Sequence, residues 1–265
     1  MQLEHVLYQT DGPLALITLN RPERLNAITG QSMAEIGEAL ARMQEDATVR
    51  VGILTGAGRG FCSGGDRKVT ADRVARGEEL SHGPGYSPRP FYRAQQLFTT
   101  LEKPLIAAVN GPAVGGGMDL ALWCDLRVAS EHASFGELYI DRGLVPDMGG
   151  LFLLPRIVGY AKAAELLLTG EIIGAQEALR IGLVNRVVPH EQLLAAAREL
   201  ALKICAKPVR GVFATKRALA RLLAPDWERE SDYHAALQEA LISTRDFREA
   251  DRAFVEKRAP AFRGE

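Results

Sequence analysis

The segment PLIAAVNGPAVGGGMDLALWCDLRVAS, residues 104–130, decides the fold class of this chain. It begins and ends with short apolar runs of the length expected for buried β-strands. Between them, Gly115–Gly117 open an apolar stretch that is predicted to be a helix, where each glycine costs about 1 kcal/mol relative to alanine. A strand, a helix and a second strand predict a parallel sheet covered by helices. The glycines indicate that a bare backbone is needed at the head of the helix.

Two apolar runs nearer the N-terminus fit the same architecture. Leu14–Leu19 and Val49–Gly56 are predicted strands, and the intervening SMAEIGEALARM repeats apolar residues at helical spacing. Ser32, followed by Glu35, is predicted to cap this helix in a capping box. The first half of the chain is therefore predicted to be a sheet with helices packed against it.

The second half has a different pattern. From about Gly149 onward, short amphipathic pieces are separated by glycine or proline, which is typical of helices. Together the two halves predict an α/β (α+β) fold. We divide it into a core, residues 1–200, and a C-terminal helical region, residues 201–265, that packs on the core or on another subunit. The polar segment between Arg67 and Arg93 is predicted to be a mobile segment over a pocket.

Composition excludes several classes of partner. A formal net charge of -1 gives no electrostatic reason to expect nucleic acid or an anionic membrane as a partner. The cysteines and histidines are scattered without metal-ligand spacing, so no metal site is predicted. The N-terminal segment lacks the apolar run of a signal peptide, and no stretch approaches the ~18 apolar residues of a membrane span. We expect a cytoplasmic protein with a small organic substrate or a protein partner.

Two glycine-rich segments, each following a predicted strand, form the first candidate site. GAGRGFCSGGD, residues 56–66, places its third glycine one position early for a dinucleotide fingerprint, and neither segment continues as a P-loop. Unpaired N–H groups at a helix N-terminus bind anions. Gly116 and the Gly64–Gly65 turn would together form an oxyanion hole if their N–H groups point to one place. Close helix–strand packing also calls for glycine, and the spacing alone leaves both interpretations open.

These motifs resemble those of the crotonase superfamily, the enoyl-CoA hydratase/isomerase family. FCSGGD looks like its F-x-x-G-x-D segment, and AAVNGPAVGGGMDLALWCDLRVAS is similar to its second signature. The similarity extends from LITLNRPERLNAI to the terminal AFVEKRAPAF. It implies a spiral of ββα units, a C-terminal helical trimerisation region giving a homotrimer or a dimer of trimers, and acyl-coenzyme A thioesters as substrates. No permanently bound cofactor is implied, because coenzyme A arrives as part of the substrate.

The resemblance also implies roles for individual residues. The N–H groups of Gly65 and Gly116 match the family's oxyanion hole, which stabilises a thioester enolate. The residues implied to bind coenzyme A are Arg24, Leu25 and Ser63, with Phe254 and Lys257 reaching the nucleotide end, often from a neighbouring subunit.

Two positions decide which reaction is expected. Hydratases of the family position one water with two glutamates; Asp119 matches the first, but Tyr139 stands at the second. A phenol with an ordinary pKa of about 10 is a poor base near neutral pH, which puts hydration in doubt. Glu137, two residues before Tyr139, is expected to point to the opposite side of the segment and is not taken as a replacement.

Asp147, in GLVPDMGG, supplies another carboxylate. Its position resembles that of the base of dienoyl-CoA isomerases and of the nucleophile of a coenzyme A-dependent dehalogenase, and it is also a candidate N-cap for the next helix. Asp119 and Asp147 form a candidate acid/base pair with Tyr139 as a hydrogen-bond donor, and burial would raise the carboxyl pKa values to useful ones. Double-bond isomerisation is thus slightly favoured over 2-enoyl-CoA hydration. Decarboxylation, hydrolysis, dehalogenation and acyl-CoA binding without catalysis remain alternatives.

Overall fold

A six-stranded sheet forms the centre of the computed structural model, which describes residues 3–76, 89–221 and 224–264. In chain order the strands are β1 (Val6–Asp11), β2 (Leu14–Leu19), β3 (Val51–Gly56), β4 (Leu105–Val109), β5 (Pro112–Val114), β6 (Leu126–Ser130), β7 (Ser134–Gly136), β8 (Ile173–Gly174) and β9 (Arg186–Val188). The large sheet has the order β1-β2-β3-β4-β6-β9, and only β1 is antiparallel to its neighbour. Strands β5, β7 and β8 form a second, small sheet. The parallel sheet predicted from the sequence is confirmed.

The helices cover both faces of the large sheet. In chain order they are α1 (Gly30–Glu45), α2 (Arg67–Ala75), α3 (Arg89–Thr100), α4 (Gly116–Trp123), α5 (Gly150–Val158), α6 (Tyr160–Thr169), α7 (Ala175–Arg180), α8 (Leu193–Cys205), α9 (Val209–Arg221), α10 (Ala224–Ile242) and α11 (Arg245–Glu256). Successive residues of β3 face opposite sides: Ile53 packs with Ala197 of α8, and Leu54 packs in the larger core that contains α1 and α4. A strand buried on both faces is uniformly apolar, which explains the sequence of β3 and β4.

The start of α1 differs from the predicted capping box. Thr29, in extended conformation, is the N-cap, and its side chain accepts a hydrogen bond from the N–H of Ser32, which is the third residue of the helix. Glu35 instead accepts hydrogen bonds from the backbone N–H groups of Glu4, His5 and Val6 through Oε2. The predicted cap at Ser32 is therefore wrong, because a second hydroxyl residue three positions earlier takes that role.

The segment from Arg67 to Arg93, predicted to be mobile, begins with α2 and ends within the first two turns of α3, so both of its ends are helical. Helix α3 is anchored by Ala94 and Phe98, which are buried. A Cβ placed on Gly37 of α1 would stand 3.8 Å from the Ala94 Cβ, so these two helices pack closely. Residues 77–88, in the middle of the segment, lie outside the described residues.

The C-terminal part of the chain consists of α8 to α11. Helix α8 runs across residue 200, and the division of the chain there stays a prediction. Helix α11 packs on α2 and on the short turn Ile140–Arg142. In the described parts of the chain, no helix combines the length and the apolar composition needed to cross a bilayer.

Candidate active site

The backbones of the two glycine-rich loops are in close contact. Three glycines are required there, for different reasons. Gly64 and Gly115 have φ angles of +82° and +52°, which side chains rarely adopt. A Cβ on Gly64 would also stand 2.8 Å from the carbonyl oxygen of Val114. On Gly117 a Cβ would overlap the carbonyl oxygen of Cys62. Close packing therefore explains part of the glycine run.

Main-chain hydrogen bonds join these loops to each other and to the segment before α1. The carbonyl of Cys62 accepts a hydrogen bond from the next loop, and the loop around Gly64 pairs with Ile28. The bonds are Cys62 N–H to Pro112 O at 2.9 Å, Val114 N–H to Cys62 O at 3.0 Å, Ile28 N–H to Gly64 O at 2.7 Å and Asp66 N–H to Ile28 O at 3.0 Å. Main-chain bonds thus fix both loops around Gly64 and Gly115, and the side-chain amides of Asn26 and Asn110 support the start of the first loop by donating to the Gly60 carbonyl.

Two N–H groups remain unused in this network. Within the described residues, neither the Gly65 N–H nor the Gly116 N–H has a hydrogen-bond acceptor. Gly116 is the first residue of α4, so its N–H lies at the positive end of the helix dipole. A Cβ at Gly65 would meet nothing within 4 Å, which shows open space beside that residue. Both groups are available to an oxygen anion.

Asp119 is paired with Tyr139 beside these donors. The Tyr139 hydroxyl donates a hydrogen bond of 2.6 Å to Asp119 Oδ2. The same hydroxyl lies 3.5 Å from the point where a Cβ of Gly116 would stand, so the Tyr139 hydroxyl is close both to the fully buried Asp119 and to the Gly116 backbone. Burial, and after it the charge of Asp147, raise the pKa of Asp119 to about 8, against the opposing effects of the Tyr139 hydroxyl and the Gly150 N–H. Asp119 is therefore mostly a neutral acid at pH 7.

Glu137 does not point away from this cluster, so that expectation is wrong. It is completely buried, and a Cβ on Gly150 would stand 2.6 Å from Glu137 Oε1 and 2.5 Å from Asp119 Oδ1. Glu137 directly follows β7, and the chain turns at Leu138 and Tyr139, where Tyr139 has helical backbone angles, so the alternation of an extended segment does not apply here. Burial, and secondly the charge of Asp119, raise the pKa of Glu137 well above its ordinary value. The sequence carried no signal for this position, because it depends on the turn that follows β7.

Asp147 is the third carboxyl group of the cluster and is only partly buried. The N-cap of α5 is Gly149, with a φ of +119°, so Asp147 is not the cap of that helix. The turn is held by Trp123, whose Nε1 donates a 2.7 Å hydrogen bond to the Met148 carbonyl. Burial raises the pKa of Asp147 to about 6, which leaves it mostly ionised at pH 7. Asp147 thus has the charge state of a general base.

The three candidate coenzyme A residues near the N-terminus lie together. The Ser63 N–H donates to the Leu25 carbonyl at 2.9 Å, and the Ser63 hydroxyl donates to the Arg24 carbonyl at 3.3 Å. Leu25 has a φ of +49°, and the Arg24 side chain is exposed. Ser63 directly precedes the Gly64–Gly65 turn, so this cluster borders the free N–H of Gly65.

The two C-terminal candidates lie on α11. Phe254 is half exposed and packs against the guanidinium of Arg67, 3.6 Å from its ring centre. Lys257 ends the helix with a φ of +53° and is exposed. Asp251 fixes the helix, because its carboxylate lies 3.0 Å from Arg142 and 3.8 Å from Arg67. Within the described residues, no group of three or more His, Cys, Asp or Glu side chains is arranged to hold a metal ion.

Comparison with known proteins defines the class. Residues 9–265 match the model of the enoyl-CoA hydratase/isomerase family, and the chain is an enzyme of this family. It is 44% identical over 255 residues to the probable enoyl-CoA hydratase EchA12 of Mycobacterium tuberculosis (strain ATCC 25618 / H37Rv), covering 94% of this chain and 89% of that protein. It is 40% identical over 262 residues to (E)-benzylidenesuccinyl-CoA hydratase of Thauera aromatica, covering 98% and 99% of the two chains.

Solved structures agree on the crotonase fold. EchA1_1 of Mycobacterium paratuberculosis is 37% identical and matches with a TM-score of 0.87 over 98% of this chain and 99% of that chain. A monofunctional enoyl-CoA isomerase from M. smegmatis is 38% identical, with a TM-score of 0.69 over 83% and 93%. Similar chains thus include proteins named for hydration and one named for isomerisation.

Proposed function

We propose that this enzyme acts on acyl-coenzyme A thioesters through an enolate, and that it moves a double bond rather than adding water. The hydrogen bond between the Tyr139 hydroxyl and Asp119 Oδ2 carries this proposal. Water activation by two carboxylates requires an ionised carboxylate beside the water. Tyr139 occupies the place of the second carboxylate, and Asp119, with a pKa of about 8, is mostly neutral at pH 7.

Asp147 supports isomerisation as the base. It is partly exposed and mostly ionised at pH 7, so it removes a proton from the carbon next to the conjugated system. The resulting negative charge moves to the thioester oxygen, where the N–H groups of Gly65 and Gly116 stabilise it by about 3 kcal/mol each. In this step the protonated Asp119 donates to the Tyr139 oxygen, the reverse of the resting hydrogen bond, and the Tyr139 O–H turns to the substrate. Tyr139 then protonates the distant carbon as Asp119 passes its own proton to the Tyr139 oxygen. Asp147 holds the proton taken from the substrate, and proton exchange with solvent returns Asp147 and Asp119 to their starting states.

The thioester is held at both ends in this proposal. Arg24, Leu25 and Ser63 contact the coenzyme A part near the Gly65 donor, and Phe254 and Lys257 contact its nucleotide end. Their positions support this role, since the first three border the free N–H of Gly65 and Phe254 packs on Arg67, two residues after it.

A panel of thioesters tests the reaction type. Purified enzyme is incubated with 2-enoyl, 3-enoyl and dienoyl thioesters, and the products are separated by chromatography. We expect double bonds to move, with incorporation of solvent deuterium at the protonated carbon. The matched variant Tyr139→Phe keeps the ring and removes the hydroxyl, and it should slow isomerisation at least tenfold. Rapid hydration of crotonyl-CoA by the wild type without isomerisation would overturn the proposal.

Hydration is the second candidate, and one observation favours it. The Glu137 carboxyl group lies beside Asp119, so two carboxyl groups are present although position 139 holds tyrosine. The relatives named as hydratases, at 44% and 40% identity, point in the same direction. If Glu137 serves as the second carboxylate, Glu137→Gln abolishes hydration of crotonyl-CoA.

We also propose a cytoplasmic homotrimer or dimer of trimers, with residues 201–265 at subunit contacts. Exposed apolar residues of this region support a subunit interface: Val255 of α11 is 62% exposed, and Leu219 of α9 is 59% exposed. Light scattering after size-exclusion chromatography gives the mass of the assembly. A monomer at micromolar concentration would contradict this proposal.

A further inference from the structure

Buried carboxyl oxygens lack good hydrogen-bond partners in the candidate site. Both oxygens of Glu137 lack a hydrogen bond, and Asp119 Oδ1 has no well-formed one although the Gly150 N–H stabilises the ionised Asp119; both residues are fully buried. A buried polar atom without a partner costs about 1–3 kcal/mol. Such an arrangement at two neighbouring carboxyl groups needs a reason beyond packing.

The surroundings of the pair exclude a second negative charge. Asp119 on α4 faces Tyr139, Asp147 on the turn before α5, and the Cys62 thiol, while Glu137 faces Asp119 and Tyr139. All of these groups are neutral or acidic, and no described basic side chain contributes to the charge balance of Asp119 or Glu137. Glu137 is therefore a neutral acid whenever Asp119 carries a charge.

Asp119 contacts Tyr139 through one oxygen and faces Glu137 with the other. The Tyr139 hydroxyl, which donates to Asp119 Oδ2, lies near the Gly116 backbone, whereas Asp119 Oδ1 and Glu137 Oε1 lie near one point above Gly150. Because Asp119 Oδ1 and Glu137 Oε1 are both within 2.6 Å of one point above Gly150, a small side-chain rotation brings them into hydrogen-bond range.

We propose that Glu137 is a positioning residue that donates its O–H to Asp119 when turnover leaves Asp119 as a carboxylate. This proposal rests on the proposed isomerisation. In the protonation step the Tyr139 O–H bond breaks as a C–H bond forms on the enolate. The Asp119 O–H bond breaks as the Tyr139 O–H bond forms again. The negative charge of the enolate thus ends on Asp119, where Glu137 is the buried acid beside it.

Two variants at Glu137 separate this role from a structural one. Glu137→Gln keeps a donor, and we expect its kcat to stay within threefold of the wild type. Glu137→Leu removes the donor at similar size and should lower kcat about 100-fold with little change in KM. Loss of a donor to the ionised form also raises the pKa of Asp119, so the alkaline limit of kcat moves to higher pH in Glu137→Leu. Glu131→Leu, at an exposed position of the same segment, is the matched control and should change neither quantity.

Infrared titration of the free enzyme tests the same contact without turnover. The C=O band of protonated Asp119, assigned with Asp119→Asn, should disappear at higher pH in Glu137→Leu than in the wild type or Glu137→Gln. Unchanged titration in Glu137→Leu overturns the proposal, as does a loss of kcat in Glu137→Gln equal to that in Glu137→Leu. A shifted titration in a wild type that fails to isomerise any thioester would support the contact and reject isomerisation. If Glu137→Leu does not fold, the kcat of Glu137→Gln decides. A kcat within threefold of the wild type supports the proposal, and a larger loss overturns it.

Discussion

Two buried aspartates of this enzyme have opposite surroundings. Asp251 on α11 is 5% exposed and faces two guanidinium groups, with Arg142 at 3.0 Å and Arg67 at 3.8 Å. Asp119 on α4 is fully buried and faces a tyrosine hydroxyl and further acids. The Asp251 carboxylate, which forms ion pairs, joins parts of the fold. Asp119, which forms no ion pair, has its pKa near the pH at which it can exchange protons. Both aspartates are buried, so it is the charge of the neighbouring groups that distinguishes a structural carboxylate from one suited to proton transfer.

The ion pairs of Asp251 also connect helix α11 to the candidate active site. Arg67 lies two residues after Gly65, and Arg142 lies three residues after Tyr139. Through the Asp251 carboxylate, helix α11 is therefore connected to the segment that carries Gly65 and to the segment that carries Tyr139. Phe247 and Phe254 of the same helix pack against these two arginines.

The largest effect is expected at Asp147, the acid that is partly exposed. Asp147→Asn keeps the shape and removes the base, so kcat for isomerisation should fall about 1000-fold. Because Asp147 is not a helix cap, the midpoint of urea unfolding should stay within a few tenths of a molar unit. Normal turnover with reduced stability would instead show that Asp147 has a structural role, as Asp251 does.

Asp251 should show the reverse pattern. Asp251→Asn leaves two arginines beside a neutral group and should lower the free energy of unfolding by about 3 kcal/mol, measured by urea denaturation. Glu256→Gln on the same helix is the control, since the half-exposed Glu256 pairs with Arg258 at the surface, and no change in the midpoint is expected. Equal stability of the two variants would show that the pairing at Asp251 does not join the elements.

Asp119 should make the enzyme less stable as the pH rises. The unfolded chain releases this proton near pH 4, whereas the folded chain holds it to about pH 8. The stability is therefore complete below about pH 4 and is lost progressively as the pH rises towards 8. Asp119→Asn removes this dependence and should gain roughly 2 kcal/mol over the wild type between pH 5 and pH 6.5. Asp147 and Glu137 are present in both proteins, so the comparison isolates the contribution of Asp119 to the free energy of unfolding. If the plots of this free energy against pH are parallel for the two proteins, Asp119 is already ionised at pH 5.

The smallest expected effect is the shape of the pH–rate profile. The value of kcat/KM should rise through about pH 6 as Asp147 ionises and fall above about pH 8 as Asp119 loses its proton. In Asp119→Asn the remaining activity should lack the alkaline fall. An alkaline fall that persists in this variant would assign it to another group.

Much of the fold was readable because the relevant signals are local. Leu14–Leu19 forms a strand with the predicted limits, and the strand predicted at 49–56 begins two residues later, since buried parallel strands are short apolar runs. The capping residue of α1 was misassigned because Thr29 and Ser32 both fit the pattern, and only the backbone conformation decides between them. Helix α3 was missed because its packing on α1 depends on a contact distant in sequence.

The site was less predictable, because its chemistry depends on contacts between segments. The sequence indicates Asp119, Tyr139 and Asp147, but it does not show that Tyr139 donates to Asp119. The direction of the Glu137 side chain could not be predicted either, because the chain turns at Leu138 and Tyr139. Its closeness to Asp119 depends on Gly150, on a third segment, which leaves space between the two carboxyl groups.

The main-chain bonds between the glycine loops have a consequence for redesign. Because Cys62, Val114, Ile28 and Gly64 are joined through N–H and C=O groups, the positions of Gly65 and Gly116 do not depend on the side chains at 119, 137, 139 and 147. The backbone that would hold the thioester and the side chains that would move protons are separable parts. A library randomised at those four positions can therefore search for new thioester reactions on an unchanged scaffold.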